Sequence, residues 1–151
     1  MSSILIRPYE LSDRDACLAA FVSNMPRYFA DNELPDFQRW LEGPAERYFV
    51  VEREGKVLGC GGYAWNERDE DISMTWGMIH NEAHGQGLGH ALTVHRLEEA
   101  ASRYPGGKMR CETSQHTEAF YARFGFQRTL VTPDGFGPGI DKILMYFHLP
   151  A

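Results

Sequence analysis

Three glycines at alternate positions, Gly85, Gly87 and Gly89, follow an apolar run and precede a helical pattern. The run from Ile72 to Ile79 favours a β-strand, and apolar residues recur at helical spacing from Leu88 to Tyr104. The glycines therefore lie where a strand turns into a helix. The first N–H groups of a helix have no partner within it and lie at the positive end of its dipole, so they attract anions. The spacing predicts a phosphate-binding loop, with a tight turn that binds nothing as the alternative.

These glycines do not match two common nucleotide-binding motifs. A P-loop needs Gly-Lys-Ser or Gly-Lys-Thr where Gly87-Leu88-Gly89 stands, and a dinucleotide fingerprint places its third glycine between His90 and Leu92. A nucleotide-binding domain of another kind stays open as an interpretation. Stabilisation by ATP or NAD would distinguish it.

A second group of residues follows a predicted strand from Lys108 to Glu112. Phe120 and Phe124 are one helical turn apart and are expected to pack inward, which rotates Tyr121 about 100° away from that face. Gly125 is placed to end the helix as a left-handed cap. The hydroxyl of Tyr121 is therefore predicted to be free to act on a neighbouring site.

Together the two segments resemble the GNAT superfamily of acyl-coenzyme A N-acyltransferases. The first is similar to the family motif of Gln or Arg, two residues, Gly, one residue, and Gly or Ala, with His84 in its first position. The second is similar to the Tyr-x-x-x-Gly-Phe helix of the family. The resemblance runs from Ile4 to Leu149. It implies one α+β (mixed αβα) domain over residues 1–151, with a mostly antiparallel, twisted sheet of about six to seven strands, splayed at the cofactor site and flanked by about four helices.

The resemblance also implies how a cofactor is held. In the family, backbone N–H groups of the glycine loop bind the pyrophosphate of coenzyme A (CoA), and the end of the preceding strand binds its pantetheine arm. Those strand residues are here Met78 and Ile79, and Ser114 replaces an asparagine that often precedes the tyrosine by seven residues. The loop residues implied in binding acetyl-CoA are His84, Gly85, Gln86, Gly87, Leu88, Gly89 and His90.

The implied reaction is transfer of an acetyl group to a primary amine of a small molecule or peptide, by direct attack in a ternary complex. Tyr121 is the implied acid that protonates the departing thiolate. An amine must lose a proton before it attacks, and Glu112, at the end of a strand beside the pantetheine strand, is the predicted base. The alternative for Glu112 is an exposed surface carboxylate. The alternative function is a non-catalytic sensor of CoA or acyl-CoA on the same fold.

Aromatic residues in two segments are candidates for the acceptor site. In the family the segment that corresponds to Met25–Glu46 forms one wall of that site, with ordinary core packing as the alternative for its aromatic residues. The loop from Pro133 to Asp141 is rich in Gly and Pro, and we predict that it is a lid, with a plain connection as the alternative. The residues predicted to contact the acceptor are Tyr28, Phe29, Trp40 and Phe136.

The remaining elements position these residues. Ile4 to Arg7 predicts a first strand, and Ser12 is predicted to cap the helix that follows. Two strands, Tyr48–Glu52 and Val57–Trp65, join through Glu54-Gly55, a hairpin signature. The buried face of the first helix is predicted to hold Leu18, Phe21, Val22 and Met25. The long helix is predicted to carry an apolar stripe of Ala91, Val94, Leu97, Ala101 and Tyr104.

Composition excludes several classes of protein. The chain has 151 residues, of which 43% are hydrophobic, enough for one domain with a substantial core. A net charge of −6 disfavours nucleic-acid and anionic-membrane partners. Neither a membrane-spanning run nor a signal peptide is evident, so we expect a cytoplasmic protein. Cys17, Cys60 and Cys111 have neither disulfide nor zinc-ligand spacing, so no metal is expected. A homodimer, which is common in the family, is an expectation from the resemblance.

Overall fold

The computed structural model describes residues 3–43 and 45–151. Met1 and Ser2, at the amino terminus, and Pro44, in the predicted acceptor segment, lie outside the described residues. The strands are β1 (Ile4–Pro8), β2 (Tyr48–Arg53), β3 (Lys56–Asn66), β4 (Asp71–Ile79), β5 (Lys108–Thr113), β6 (Gln127–Gly137) and β7 (Ile140–His148). The helices are α1 (Arg14–Ser23), α2 (Leu34–Glu42), α3 (Leu88–Arg103) and α4 (Glu118–Ala122).

The strands form one sheet in the order β1-β2-β3-β4-β5-β7-β6. Every neighbouring pair is antiparallel except β4 and β5, which are parallel because α3 crosses between them. The predicted mixed α+β fold is confirmed, with seven strands and four α-helices in the described part of the chain. The hairpin at Glu54-Gly55 is also present, and both residues have positive φ, 53° and 76°.

The sheet opens between β4 and β5. The two strands pair only at Ile72–Met109 and Ser73–Arg110, near their beginnings. Beyond these pairs β4 continues to Ile79 and β5 to Thr113, and the two strands diverge. The predicted splay is therefore present. Divergence leaves backbone donors and acceptors on the facing edges that a ligand can use.

A β-bulge distorts β4 at the mouth of this opening. The pairing of β3 with β4 shifts register between Cys60 and Gly62, opposite Trp76 and Gly77. Trp76 has φ 35°, a left-handed conformation that is unusual for so bulky a residue. The hydroxyl of Tyr48 donates a hydrogen bond of 2.6 Å to the carbonyl of Trp76. This bond supports the bulge from β2, which lies on the far side of β3.

Helices cover both faces of the sheet. Side chains alternate along a strand, so Tyr48 and Val50 of β2 point to the face on which α1 and α2 pack, around Phe21. Phe49 points to the other face and joins the cluster that includes Leu92 of α3. The glycine loop and α4 are thus held against a packed sheet rather than standing free in solvent.

The start of α1 differs from the prediction. Ser12 is exposed. The carboxylate of Asp13 accepts a 2.9 Å hydrogen bond from the N–H of Glu10, which closes the single 3-10 turn Leu11–Asp13 before α1, and α1 itself begins without a side-chain cap among the described residues. Arg7 binds both oxygens of Asp13 at 2.9 Å and holds the pKa of that carboxyl below its usual value. Val22, predicted to be buried, is 54% exposed because Phe21 takes the core direction and the next residue is rotated about 100° from it.

Candidate active site

The glycine loop connects β4 to α3 in a conformation that needs glycine. Gly85 and Gly87 have φ of 78° and 83°, in the left-handed region that other residues avoid. A Cβ at either position would meet no atom within 4 Å, so the space in front of the loop is open. The hydrogen bond from the N–H of Ala91 to the carbonyl of Gly87, 3.1 Å long, closes the first turn of α3. The N–H groups before Ala91 precede the helical ladder and are available to an anion.

Two side chains of the loop are engaged elsewhere. The Nε2 atom of His84 lies 2.8 Å from the carbonyl oxygen of Ile79, so the imidazole points back along β4. The Oε1 atom of Gln86 accepts a hydrogen bond of 2.5 Å from Arg53, outside the main cavity. Gln86 therefore has its backbone N–H, and not its side chain, to offer a ligand at the loop.

A cavity of about 890 Å³ fills the opening between β4 and β5. Its volume lies in the range of sites for small molecules and cofactors. It brings together the glycine loop, both diverging strands and α4. The residues predicted for the cofactor or for catalysis that line it are Met78, Ile79, His84, Gly85, Gly87, Leu88, Gly89, His90, Glu112, Ser114 and Tyr121.

Tyr121 lies on α4 where this helix faces the cavity. Its half-buried ring contacts Phe126 edge-on, with the centroids 5.8 Å apart. Burial raises the pKa of Tyr121, so the phenol keeps its proton at neutral pH. Phe120 lines the cavity beside it, although it was expected to pack inward. Gly125 has φ 109°, and it ends the segment as the predicted cap.

Ser114 begins the turn that leads into α4. It is 4% exposed, and its hydroxyl accepts a hydrogen bond of 3.2 Å from the N–H of His116. Its carbonyl accepts from the N–H groups of Thr117 and Glu118 at 3.1 and 2.9 Å. Ser114 therefore both lines the cavity and fixes the direction in which α4 starts.

Glu112 lies at the cavity edge with cations around it. Lys142 is 3.0 Å from one carboxylate oxygen, and Arg110 is 3.5 Å from the other. Arg110 is itself held by Asp69 at 2.9 Å and by Asp71 at 3.0 Å. The network fixes Glu112 in place and partly neutralises its charge.

A second carboxylate lines the cavity, and sequence reasoning missed it. Glu33 lies in a single 3-10 turn, Asp31–Glu33, before α2, and its Oε2 atom accepts a hydrogen bond of 2.9 Å from the N–H of Ala30. Burial raises the pKa of this half-buried carboxyl. One glutamate without a surrounding pattern gives no motif, so only the fold reveals its position.

Asn24, at the end of α1, is a further residue that was missed. It is 3% exposed, and its amide donates hydrogen bonds of 2.8 Å to the carbonyls of Ala20 and Ile79. Its Oδ1 atom is buried without a partner among the described residues. Asn24 therefore ties α1 to the end of β4 and presents an acceptor oxygen beside the cavity.

Three of the four predicted acceptor residues line the cavity: Tyr28, Phe29 and Phe136. The ring of Tyr28 stands edge-on to those of His84 and His116, with centroids 5.5 and 5.8 Å away. Trp40 is not among the described lining residues. It packs edge-on against Tyr48 at 5.9 Å, as the core alternative for these aromatics proposed.

The segment predicted as a long loop is a hairpin. β6 continues through Gly137 and β7 begins at Ile140, so Phe136 lies on a strand. A Cβ at Gly137 would lie 2.8 Å from the Cβ of Ala30, so the hairpin tip rests on the segment between α1 and α2. The tip and that segment close one end of the cavity together.

No helix within the described residues is long and apolar enough to cross a membrane. Across residues 3–43 and 45–151, His, Cys, Asp and Glu side chains do not gather in threes as a metal site would require.

Residues 44–128, more than half of the chain, match the family model described as "Acetyltransferase (GNAT) domain". A search of curated protein sequences finds no significant match.

Solved structures resemble the fold over almost its whole length. Ard1 from Thermoplasma volcanium is similar with a TM-score of 0.79 and 18% identity, over 98% of this chain and 99% of that one. A ribosomal-protein-alanine N-acetyltransferase from Brucella melitensis is similar with a TM-score of 0.78 and 23% identity, over 96% of this chain and 99% of that one. YncA from Salmonella typhimurium, solved with its cofactor acetyl-CoA, is similar with a TM-score of 0.77 and 18% identity, over 99% of this chain and 95% of that one. At these identities the likeness is one of fold.

Proposed function

Because the chain belongs to the GNAT acetyltransferase family, we propose that it transfers an acetyl group from acetyl-CoA to a primary amine of a small molecule or peptide. One observation carries the proposal. A single cavity joins the anion-binding loop, the diverging ends of β4 and β5, and the phenol of Tyr121. These are the parts that a long anionic thioester and its reacting end require.

The cavity fits the cofactor at its phosphate end. Backbone N–H groups of the loop from Gln86 to His90 would hold the pyrophosphate, since they precede the helical ladder and the space in front of Gly85 and Gly87 is open. The edge of β4 beyond Ser73, which includes Met78 and Ile79, would pair with the pantetheine amides. Acetyl-CoA supplies the activated acetyl group.

Tyr121 is the proposed acid. Its pKa is raised by burial, so it holds a proton at its phenol oxygen at neutral pH and can give it to a departing thiolate. Cys111 is close by but is not proposed as an acetyl carrier. Burial raises the pKa of its thiol to about 12, which keeps it neutral and a poor nucleophile. Direct transfer to the amine is therefore proposed.

A carboxylate is the proposed base, and two line the cavity. Glu112 was predicted for this role, and Lys142 and Arg110 hold its two oxygens. Glu33 has a pKa raised by burial, which makes it a stronger proton acceptor, once it is ionised, than an ordinary carboxylate. It also lies in the segment that supplies Tyr28 and Phe29. The geometry therefore favours Glu33, and separate glutamine substitutions decide between the two.

The direct test is acetyl transfer itself. The purified protein is incubated with acetyl-CoA and a panel of amines and short peptides. A colorimetric thiol assay measures the CoA released, and mass spectrometry identifies the acetylated product. We expect acetylated amine in equal amount to the thiol released. Binding of CoA with no product from any amine would favour the alternative, a CoA sensor.

Tyr121→Phe gives the second test. It is expected to lower kcat about a hundred-fold while the affinity for acetyl-CoA changes little, since a phenylalanine keeps the packing but has no proton to give. Tyr104→Phe is the matched control, because Tyr104 stacks on Trp65 and is not among the described cavity residues. An unchanged kcat in Tyr121→Phe would remove the tyrosine from the mechanism.

A further inference from the structure

Arg96, in the middle of α3, is the largest fully buried side chain of the described residues and is 1% exposed. A buried charge normally has an oppositely charged partner. No carboxylate of the described residues forms an ion pair with Arg96. Its Nε and Nη2 atoms instead donate hydrogen bonds of 2.9 and 3.1 Å to the carbonyls of Gly62 and Thr75. The backbone of β3 and β4 holds this cation in place, and its positive charge is left uncompensated.

Arg110, another arginine that lines the cavity, shows the usual arrangement. Its guanidinium lies 2.9 Å from Asp69, 3.0 Å from Asp71 and 3.5 Å from Glu112. In Arg96, by contrast, the N–H groups of Nη1 have no acceptor among the described residues. A guanidinium keeps its charge when it is buried. An anion that reaches Arg96 therefore gains a charge-assisted hydrogen bond without competition from a protein carboxylate.

The free N–H groups of Arg96 lie at the bulge of β4. A Cβ at Gly77 would lie 2.5 Å from the Nη1 atom, and the carbonyl of Thr75 already accepts from Nη2. Both positions follow Ser73, the last residue of β4 that pairs with β5. The guanidinium is therefore at the opening between the two strands, and Arg96 is one of the residues that line the cavity there.

A CoA thioester bound as proposed above would extend along β4 towards this guanidinium. Its pyrophosphate would lie at the glycine loop, which follows Ile79, and its pantetheine arm would run back along β4 towards Ser73. The strands close at Ser73, so the thioester and its acyl group come last in that direction. The acyl group would therefore lie at the bulge, next to the Nη1 atom of Arg96.

The acceptor residues lie on the other face of the sheet. Arg96 belongs to α3, whose Leu92 packs in the same cluster as Phe49. Phe29 stacks on Phe21 of α1, with ring centroids 4.6 Å apart, on the opposite face. An anion that binds Arg96 is therefore more easily delivered by the acyl group, from between the strands, than by the acceptor amine.

We propose that the cavity takes a second class of acyl donor, a CoA thioester of a short dicarboxylic acid, and that Arg96 binds its free carboxylate. This inference rests on the proposed function. The amine nitrogen bonds to the thioester carbon, the carbon–sulfur bond breaks, and its electron pair goes to sulfur. The sulfur gains one proton as the amine loses one. The free carboxylate takes no part in these bond changes, so the products are CoA and an amide with a terminal carboxylate.

The test compares acyl donors of equal shape and different charge. Malonyl-, succinyl- and glutaryl-CoA are paired with isovaleryl-, 4-methylpentanoyl- and 5-methylhexanoyl-CoA, in which two methyl groups replace the carboxylate oxygens. At least one carboxylated donor should exceed its neutral partner in kcat/KM by about thirty-fold or more, the effect of one buried charge pair. If acetyl-CoA acetylates an amine but no pair shows this preference, the proposal is overturned and the proposed function stands.

Arg96→Met removes the charge and keeps an unbranched side chain of similar reach. The preference for the carboxylated donor should then fall to less than about three-fold, and Arg96→Lys should retain part of it. Arg103→Met is the matched control, since Arg103 is an exposed arginine near the end of the same helix, and it should keep the full preference. A preference that persists in Arg96→Met would contradict the proposal, because another group would then bind the carboxylate.

A carboxylate on the acceptor is the competing source of the anion. With acetyl-CoA as the acyl donor, β-alanine is compared with its uncharged amide as the acceptor. If Arg96→Met removes a preference between these two amines and leaves the preference between acyl donors unchanged, Arg96 binds the acceptor and the proposal is wrong.

Calorimetric titration of the six acyl-CoA thioesters gives a measurement that does not depend on turnover. It needs only the unsubstituted protein, so it remains decisive if Arg96→Met does not fold. We expect tighter binding of at least one carboxylated thioester than of its neutral partner, and equal affinities in all three pairs would overturn the proposal. If no amine is acylated by any donor, the proposed function fails, and these affinities still decide whether the cavity recognises the carboxylate.

Discussion

At the glycine loop the cavity offers backbone N–H groups, whereas at its other end it offers side chains. The loop between β4 and α3 takes its shape from Gly85 and Gly87, and it needs no particular side chain to bind an anion. The other end is built by Tyr28 and Phe29 from one segment and by Phe136 from the β6–β7 hairpin. These aromatic residues are distant in sequence and meet only in the folded chain.

The difference explains where specificity resides. A backbone site depends on a short local pattern and cannot change without loss of its conformation. A side-chain site can change one residue at a time while the sheet beneath it stays the same. We therefore expect substitutions at the loop to abolish cofactor binding, and substitutions at the aromatic end to alter the choice of amine.

The sharpest way to break the cofactor end is Gly87→Glu. It places a carboxylate where the phosphates would lie and a side chain on left-handed backbone, so the affinity for acetyl-CoA should fall at least about a hundred-fold. Calorimetric titration measures the change. Gly55→Glu is the control, because Gly55 has a similar φ of 76° and equally open surroundings, but lies in the β2–β3 hairpin. Equal losses of affinity in both variants would argue against the loop as the phosphate site.

A smaller effect, on the reaction alone, is expected from Glu33→Gln. A base must be ionised to accept a proton, and burial raises the pKa of Glu33, so kcat/KM should fall as the pH is lowered through that raised pKa. The variant should lose about ten-fold in kcat at neutral pH and no longer show this acid limb. Glu112→Gln is the paired variant. If Glu112→Gln removes the acid limb and Glu33→Gln keeps it, the original prediction of Glu112 is restored.

The smallest effect is expected from Phe136→Ala at the hairpin. Loss of one aromatic wall should raise KM for the amine several-fold, with kcat and the affinity for acetyl-CoA nearly unchanged. Steady-state kinetics with each substrate varied in turn separates the effect on the amine from the effect on acetyl-CoA. Trp40→Phe serves as control, since Trp40 packs in the core beside Tyr48. A change in acetyl-CoA affinity equal to that for the amine would contradict the division of the cavity into two ends.

The cofactor end was accessible to sequence analysis because its signals are local. Alternate glycines between a strand pattern and a helix pattern mark the loop, and Gly125 marks the end of α4 with its φ of 109°. The mostly antiparallel sheet and its splay at the cofactor site came from the family resemblance and not from periodicity. A short sequence pattern specifies the loop, and a known fold specifies the sheet.

The β6–β7 hairpin was not accessible in this way. Gly and Pro in its sequence favour a loop, but distant hydrogen bonds order the tip. The side chain of Gln115 donates to the carbonyl of Gly139 at 2.8 Å and accepts from the N–H of Asp141 at 2.9 Å. Asp134 accepts a further bond of 2.7 Å from the N–H of Gly139. No local sequence pattern indicates a hydrogen-bond partner as far along the chain as Gln115.

Arg96 shows a second limit. Helical periodicity counts apolar residues, and so it predicted a stripe that includes Ala91 and Leu97, both of which are only half-buried. The buried face instead contains Thr93 and Arg96, because glycines on the facing strands leave room for a guanidinium. A buried polar residue can be predicted only when the groups that bind it are known.

Thermal unfolding with acetyl-CoA, CoA, ATP and NAD in parallel tests the central claim most directly. A ligand that binds only the native state at a hundred times its Kd adds about 2.7 kcal/mol to stability. For a chain of this size that corresponds to a rise in Tm of about 5–10 °C. We expect this rise with acetyl-CoA and CoA, its loss in Gly87→Glu, and no comparable rise with ATP or NAD. A rise with ATP or NAD alone, or none with the CoA pair, would contradict the assignment of the cavity to acetyl-CoA.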